Sequence, residues 1–190
     1  MQAPSFSYGV VDLYLAGFST ANSLAESVGV LKAANALSPS RTFEPLISLT
    51  QAGQSRASYV VYKDGYLYLG SGLGDSSNDP AKTGIRKYDA ATGTLVNTWN
   101  NTGVVLPSDL SNSTRAECIE LDPGYQGGNA SLAVLARGRG FMFRRDLAGG
   151  LALPNALIIP TLPNGSTTTG TRDITFSPEG DAYLRVDNRG

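Results

Sequence analysis

Three glycines, Gly29, Gly84 and Gly140, each open a short strand-like run with a basic tail, and they recur 55 and 56 residues apart. A recurrence of that length restricts the fold strongly, because each unit must be one supersecondary element that buries its apolar surface against its neighbours. Two further marks keep the same phase. Leu13-Tyr14-Leu15, Leu67-Tyr68-Leu69 and Ala182-Tyr183-Leu184 match one another, with Leu132-Ala133-Val134-Leu135 filling the third unit. A hydroxyl residue followed by arginine stands at Ser55-Arg56, Thr114-Arg115 and Thr171-Arg172, spaced 59 and 57 residues apart.

Within a unit, alternating apolar residues, β-branched and aromatic side chains, and Gly, Pro, Asn and Asp punctuation predict four strands. In the second unit these are 57–62, 66–69, 84–88 and 94–99, with turns at Lys63-Asp64-Gly65 and Asp89-Ala90-Ala91-Thr92-Gly93. The third unit reads as 116–121, 131–136, 140–145 and 156–161. The first reads as 10–16, 28–33 and 42–49, with an opening strand near Phe6 and a helical turn over 19–27. A fourth unit begins at Thr171-Arg172.

Four antiparallel strands repeated around an axis make an all-β fold of β-propeller type, here with a repeat of about 55–59 residues. The residues also carry a family resemblance. Tyr62-Lys63-Asp64-Gly65-Tyr66-Leu67-Tyr68-Leu69-Gly70 and the run from Ile174 to Leu184 resemble the inner strand, turn and second strand of NHL-type and gluconolactonase-type propellers. The run Gly84-Ile85-Arg86-Lys87-Tyr88-Asp89-Ala90-Ala91-Thr92-Gly93 is similar to their third strand and turn. The resemblance covers most of the chain at blade level and implies a fold shared by many activities.

The expected arrangement is a single propeller-like domain over 1–190, incomplete at about three and a half blades: 5–50, 56–100, 115–162 and a half-blade at 171–190. Since propellers hold about four to eight blades, this predicts either a fragment or chains that complete one another. Unpaired edge strands recruit partners, so a homo-oligomer is the expected state.

Composition narrows the function. Net charge is −1, which gives no bulk field for nucleic acid, and no apolar run reaches the ~20 residues of a membrane span. The basic-aromatic run Arg137 to Arg145 is assigned to a strand rather than to nucleic acid, with Phe141 and Phe143 in phase with Ile85 and Lys87. Few charges and abundant Ser, Thr, Asn and Gly lean toward an extracellular or periplasmic protein, although Met1-Gln2-Ala3-Pro4 does not start a signal peptide. Asn100, Asn112, Asn129 and Asn164 begin glycosylation acceptor patterns. Cys118, the one cysteine, reads as a buried small hydrophobe in an apolar strand.

The chain has no histidine, which removes Ser-His-Asp and Cys-His catalysis and His-ligated zinc. Chemistry would rest on carboxylates, Tyr, Lys, Arg, or an oxygen-ligated metal. The loop from Gly70 to Pro80 offers Asp75, Asn78 and Asp79 as oxygen ligands, with calcium as the cofactor that set would take, against a plain turn-rich loop as the alternative. Gluconolactonase-type enzymes, which the resemblance brings in, hold a divalent cation at the channel mouth with carboxylate and asparagine ligands. Here arginine stands at the matching starts of the inner strands.

Arg56, Arg115 and Arg172 are therefore the candidate site. At the starts of inner strands they would converge on one end of the channel, where guanidinium groups bind carboxylate or phosphate bidentately. The alternative role is bridging to neighbouring blades through Glu117, Asp173 or carbonyl groups. Two functions stay open. One is a non-enzymatic scaffold that binds an anionic ligand or a protein partner and self-associates through open blade edges. The other is a metal-dependent lactonase-like hydrolase or lyase using Asp75, Asp79, Glu117 and Asp173.

Overall fold

The computed structural model describes residues 11–16, 28–48, 59–70, 84–105, 116–124, 129–136, 142–154 and 171–186. These residues form twelve strands in four small antiparallel sheets, with one 3-10 turn at Trp99–Asn101 and no α-helix among them. The first sheet is β1 (Leu13–Ala16), β2 (Val28–Ala33) and β3 (Glu44–Ser48). The second is β4 (Tyr59–Lys63), β5 (Tyr66–Gly70), β6 (Ile85–Asp89) and β7 (Val104–Val105). The third is β8 (Ala116–Asp122), β9 (Ser131–Ala136) and β10 (Met142–Asp146), and the fourth is β11 (Thr171–Phe176) with β12 (Ala182–Val186). The expected strand near Phe6, the helical turn over 19–27 and the strand at 156–161 lie outside the described residues.

The hairpins follow from their turn residues. Asp64 and Gly65 take φ of 49° and 82°, the two left-handed positions of a type I′ turn, whose twist matches the strands it joins. The Asp89 and Asp146 turns are two copies of one design. In each, the aspartate carbonyl accepts the amide of a glycine four residues on, Gly93 or Gly150, both at positive φ. The aspartate side chain also gathers turn amides, from Ala91 and Thr92 in one copy and Gly149 in the other. The Thr92 amide and hydroxyl hold the Asp89 carboxyl below its ordinary range.

The fourth strand expected at 94–99 does not form as a continuous strand. Leu95 bridges Tyr88, but the ladder then breaks and resumes only where Val104 and Val105 oppose Arg86 and Ile85. Between them the chain makes an excursion with Asn100 at φ 48°, Asn101 at 62° and Gly103 at 78°. Its left-handed Asn and Gly residues cannot continue a strand, and Trp99 drops into the core as the anchor of a loop. Phe143 is also in a different slot from the one expected. Lys87 pairs with Tyr68 and Arg144 with Ala133, so Phe143 matches Arg86, and that shift of one residue exchanges faces.

The sheets stack in sequence order. Val30 and Ile47 of the first sheet pack against Leu67, Leu69 and Tyr88 of the second. Val61, Tyr68 and Ile85, on the other face of the second, pack with Trp99 against Ile119, Leu132 and Val134 of the third. Cys118, Ala133, Leu135 and Met142, on the far face of the third, meet Ile174 of the fourth. Strand β8 lies against β4 on one side and β11 on the other, so the first strands of the last three sheets are neighbours in space.

Candidate functional site

The junction of β8 with β11 and β12 leaves a cleft of about 500 Å³ lined by Glu120, Asp173, Ile174, Thr175, Tyr183, Leu184 and Arg185. Its polar residues come from strict alternation: Asp173 opposes Arg185 and Thr175 opposes Tyr183 on one face of the hairpin. Ile174 is buried on the other face, against the third sheet. The tight turn at Ser177 fixes that register, its amide donating to Asp181 O at 2.9 Å and Gly180 taking φ 92°.

At the floor, the Cys118 thiol donates to Asp173 Oδ1 at 3.1 Å, and the Ile174 amide donates to the same oxygen at 3.1 Å. Burial pushes the Cys118 thiol far above its ordinary value, and Asp173 and Glu120 push it the same way. A nucleophile would need the thiolate, so Cys118 is a donor and a packing group here. Glu120 accepts the Leu121 amide at 2.7 Å. The cleft thus offers carboxylate, hydroxyl, phenol and guanidinium groups to a polar ligand. Among the described residues no group of three or more His, Cys, Asp or Glu side chains is placed to hold a metal.

Of the residues expected from sequence, Arg56, Arg115, Asp75, Asn78 and Asp79 lie outside the described residues, as does the side chain of Glu117. Arg172 lies on β11, its side chain also outside. Both β8 and β11 shift register near their starts, between Ala116 and Cys118 and between Thr171 and Asp173. Arg172 is therefore the extra residue of its bulge and matches Glu117, while Arg115 precedes β8. The expected bridging partner Asp173 lines the cleft, as the expected buried Cys118 underlies it.

A second set of cations was written in the basic tails but is legible only from the register. Lys32 on β2, Lys87 on β6 and Arg144 on β10 oppose Tyr14, Tyr68 and Ala133. Each has a local partner. Lys32 pairs with Asp12 at 3.0 Å, and that hydrogen bond raises the lysine and lowers the aspartate from their usual values. Lys87 donates to Leu147 O at 2.7 Å and sits 4.1 Å from the Tyr66 ring centroid, its burial lowering its proton affinity. Arg144 Nε meets Asp122 at 3.0 Å and Ser131 Oγ at 3.0 Å. Lys32 and Arg144 tie strands within the first and third sheets, and Lys87 ties the second sheet to the third.

Compared with protein-family models, curated proteins and solved structures, the chain matches none. No helix among the described residues is long and apolar enough to cross a membrane.

Proposed function

We propose that this chain is a propeller-type scaffold of NHL-like or gluconolactonase-like blades that binds a small anionic ligand or a protein partner without catalysis, acting outside the cytoplasm. The observation that carries the reading is the succession of β4, β8 and β11 as neighbouring first strands, with a polar cleft at the last of these junctions. Side-by-side first strands are what blades around an axis require. Arg115 stands immediately before β8 in sequence, and Arg172, on β11, is next in sequence to the cleft residue Asp173. Guanidinium groups there would take carboxylate or phosphate bidentately. The single domain of three and a half blades, the self-association and the sparing use of charge belong to the same proposal.

The test is calorimetric titration of the chain with inorganic phosphate and with a dicarboxylate. A charge-assisted contact is worth roughly 1.5–3 kcal/mol, so Arg115→Ala should weaken binding about tenfold or more while the melting temperature holds. Absence of wild-type binding, or parallel loss of binding and stability, would count against the anion site. Glu120 and Asp173 in one cleft support the second reading, a metal-dependent lactonase-like enzyme. Lactone hydrolysis that needs added calcium and is lost in Asp173→Asn would favour it instead.

A further inference from the structure

Each sheet presents the same two faces as the one before it, and among the described residues the register positions of Leu67, Tyr68 and Leu69 are covered at the internal junctions and exposed at the two ends of the stack. Leu67 and Leu69 of β5 are 0% exposed against the first sheet, and the equivalent Leu132 and Val134 of β9 are 0% exposed against the second. Their equivalents in β1, Leu13 and Leu15, are 41% and 42% exposed, next to exposed Val11. The opposite face runs in parallel. Tyr14 stacks on Tyr62 of the second sheet with ring centroids 5.5 Å apart, Tyr68 donates to Leu147 O of the third at 2.9 Å, and Ala133 is buried against the fourth. The next in that series, Tyr183, is 60% exposed.

We propose that these end faces are the two halves of one more inter-sheet interface, and that a second copy of this chain completes it head to tail, first sheet upon fourth. The inference rests on reading the sheets as successive blades. The internal junctions argue for this occupant, because the same register positions already pack on one another three times within the chain. The charges also permit it: Asp173 and Arg185 are register partners, so the fourth sheet offers one charge of each sign to an aliphatic face. A heterologous contact made once leaves free ends, and made twice it closes. Closure of two chains brings together eight sheets, two of them two-stranded, or about seven blades, within the four to about eight of known rings, and roofs the cleft that holds Thr175, Tyr183 and Arg185.

Sedimentation velocity across a concentration series tests this. Wild type should reach twice the 19.9 kDa chain mass. Leu15→Asp, which blocks one face, and Thr175→Arg, which blocks the other, should each remain monomeric with unchanged circular dichroism and melting. Mixed together they should form a one-to-one pair, because each retains the face the other lacks. Should either variant unfold, Val11→Lys and Tyr183→Arg block the same faces. A monomeric wild type overturns the proposal, and so does a mixture that stays monomeric. A dimer lost in Leu15→Asp but kept in Thr175→Arg would mean first sheets pairing back to back. A monomer that still binds phosphate through Arg115 overturns the pairing and leaves the ligand reading standing.

Discussion

The second and third sheets are joined quite differently from the third and fourth. Between the second and third, Trp99 and Tyr68 meet edge to face with centroids 5.7 Å apart, and polar contacts close around them. Tyr68 and Lys87 both donate to Leu147 O, and the Asn100 amide donates to Gly149 O at 2.8 Å. Gly150 is pressed so close to Trp99 that a Cβ there would meet Trp99 Cε2 at 2.8 Å. Between the third and fourth, the core is Cys118, Ala133, Leu135, Met142 and Ile174, with a thiol-carboxylate contact and an adjoining cleft. The large aromatic groups and backbone locks are spent at one junction, while the other keeps its polar groups within reach of solvent. Close aromatic packing and solvent access are thus separated along the stack.

The sharpest way to break that contrast is Trp99→Ala. Removing a fully buried tryptophan should cost about 3–5 kcal/mol by lost transfer energy and residual cavity, and the Asn100 to Gly149 contact would lose its anchor. Urea denaturation should show the full loss. A cost below about 1 kcal/mol would mean the excursion of residues 97–103 is not what joins the two sheets.

Tyr68→Phe probes the same junction more gently. It deletes the hydroxyl donated to Leu147 O but leaves Lys87 on that carbonyl, so the expected cost is about 1 kcal/mol at neutral pH. The pH dependence has a definite sign. Burial chiefly, with Asp146 and Asp64, raises the Tyr68 phenol above its ordinary 10.0, so the folded state stays protonated where the unfolded chain ionises. The corresponding stability is complete below pH 10 and is lost as pH rises toward the folded value. Lys87 opposes this, because its lowered proton affinity makes stability rise with pH up to the unfolded value of 10.5. Denaturation at pH 8 and above pH 10 should therefore show wild type losing more stability on alkalinisation than Tyr68→Phe. Equal losses would mean the phenol is not held neutral at this junction.

What the sequence made legible was local. Asp64-Gly65 between alternating apolar runs specifies its hairpin outright, and Asp89 with Gly93 specifies its turn, because only a few residues accept those φ values. The strands of the first three sheets, β7 apart, follow from the same alternation. The 97–103 excursion was not legible, since Trp99 at the end of an apolar run looks like a strand terminus until Gly150 is brought beneath it. The cleft was legible only in pieces. Asp173 stood out as a neighbour of Arg172, but Tyr183 and Arg185 gain meaning only once register sets them opposite Thr175 and Asp173. That pairing is a tertiary fact, as is the partnering of Lys32 with Asp12, Lys87 with Leu147 O and Arg144 with Asp122.

The smallest effect expected is at Cys118, and its smallness is the point. Cys118→Ala removes one sulfur from the core it shares with Ala133, Leu135, Met142 and Ile174, yet leaves Asp173 Oδ1 accepting the Ile174 amide, so stability should fall by less than about 1 kcal/mol. The thiol of the wild-type chain then becomes a reporter of the weaker junction. Buried and held far above its ordinary proton affinity, it cannot react with a maleimide until the third and fourth sheets part. Labelling in native buffer should therefore be much faster than global unfolding, through local opening of the fourth sheet, while Trp99 stays buried by fluorescence. Labelling no faster than global unfolding would show the two junctions opening as one unit. The division between a locked and an accessible junction would then be one of composition, with no counterpart in stability.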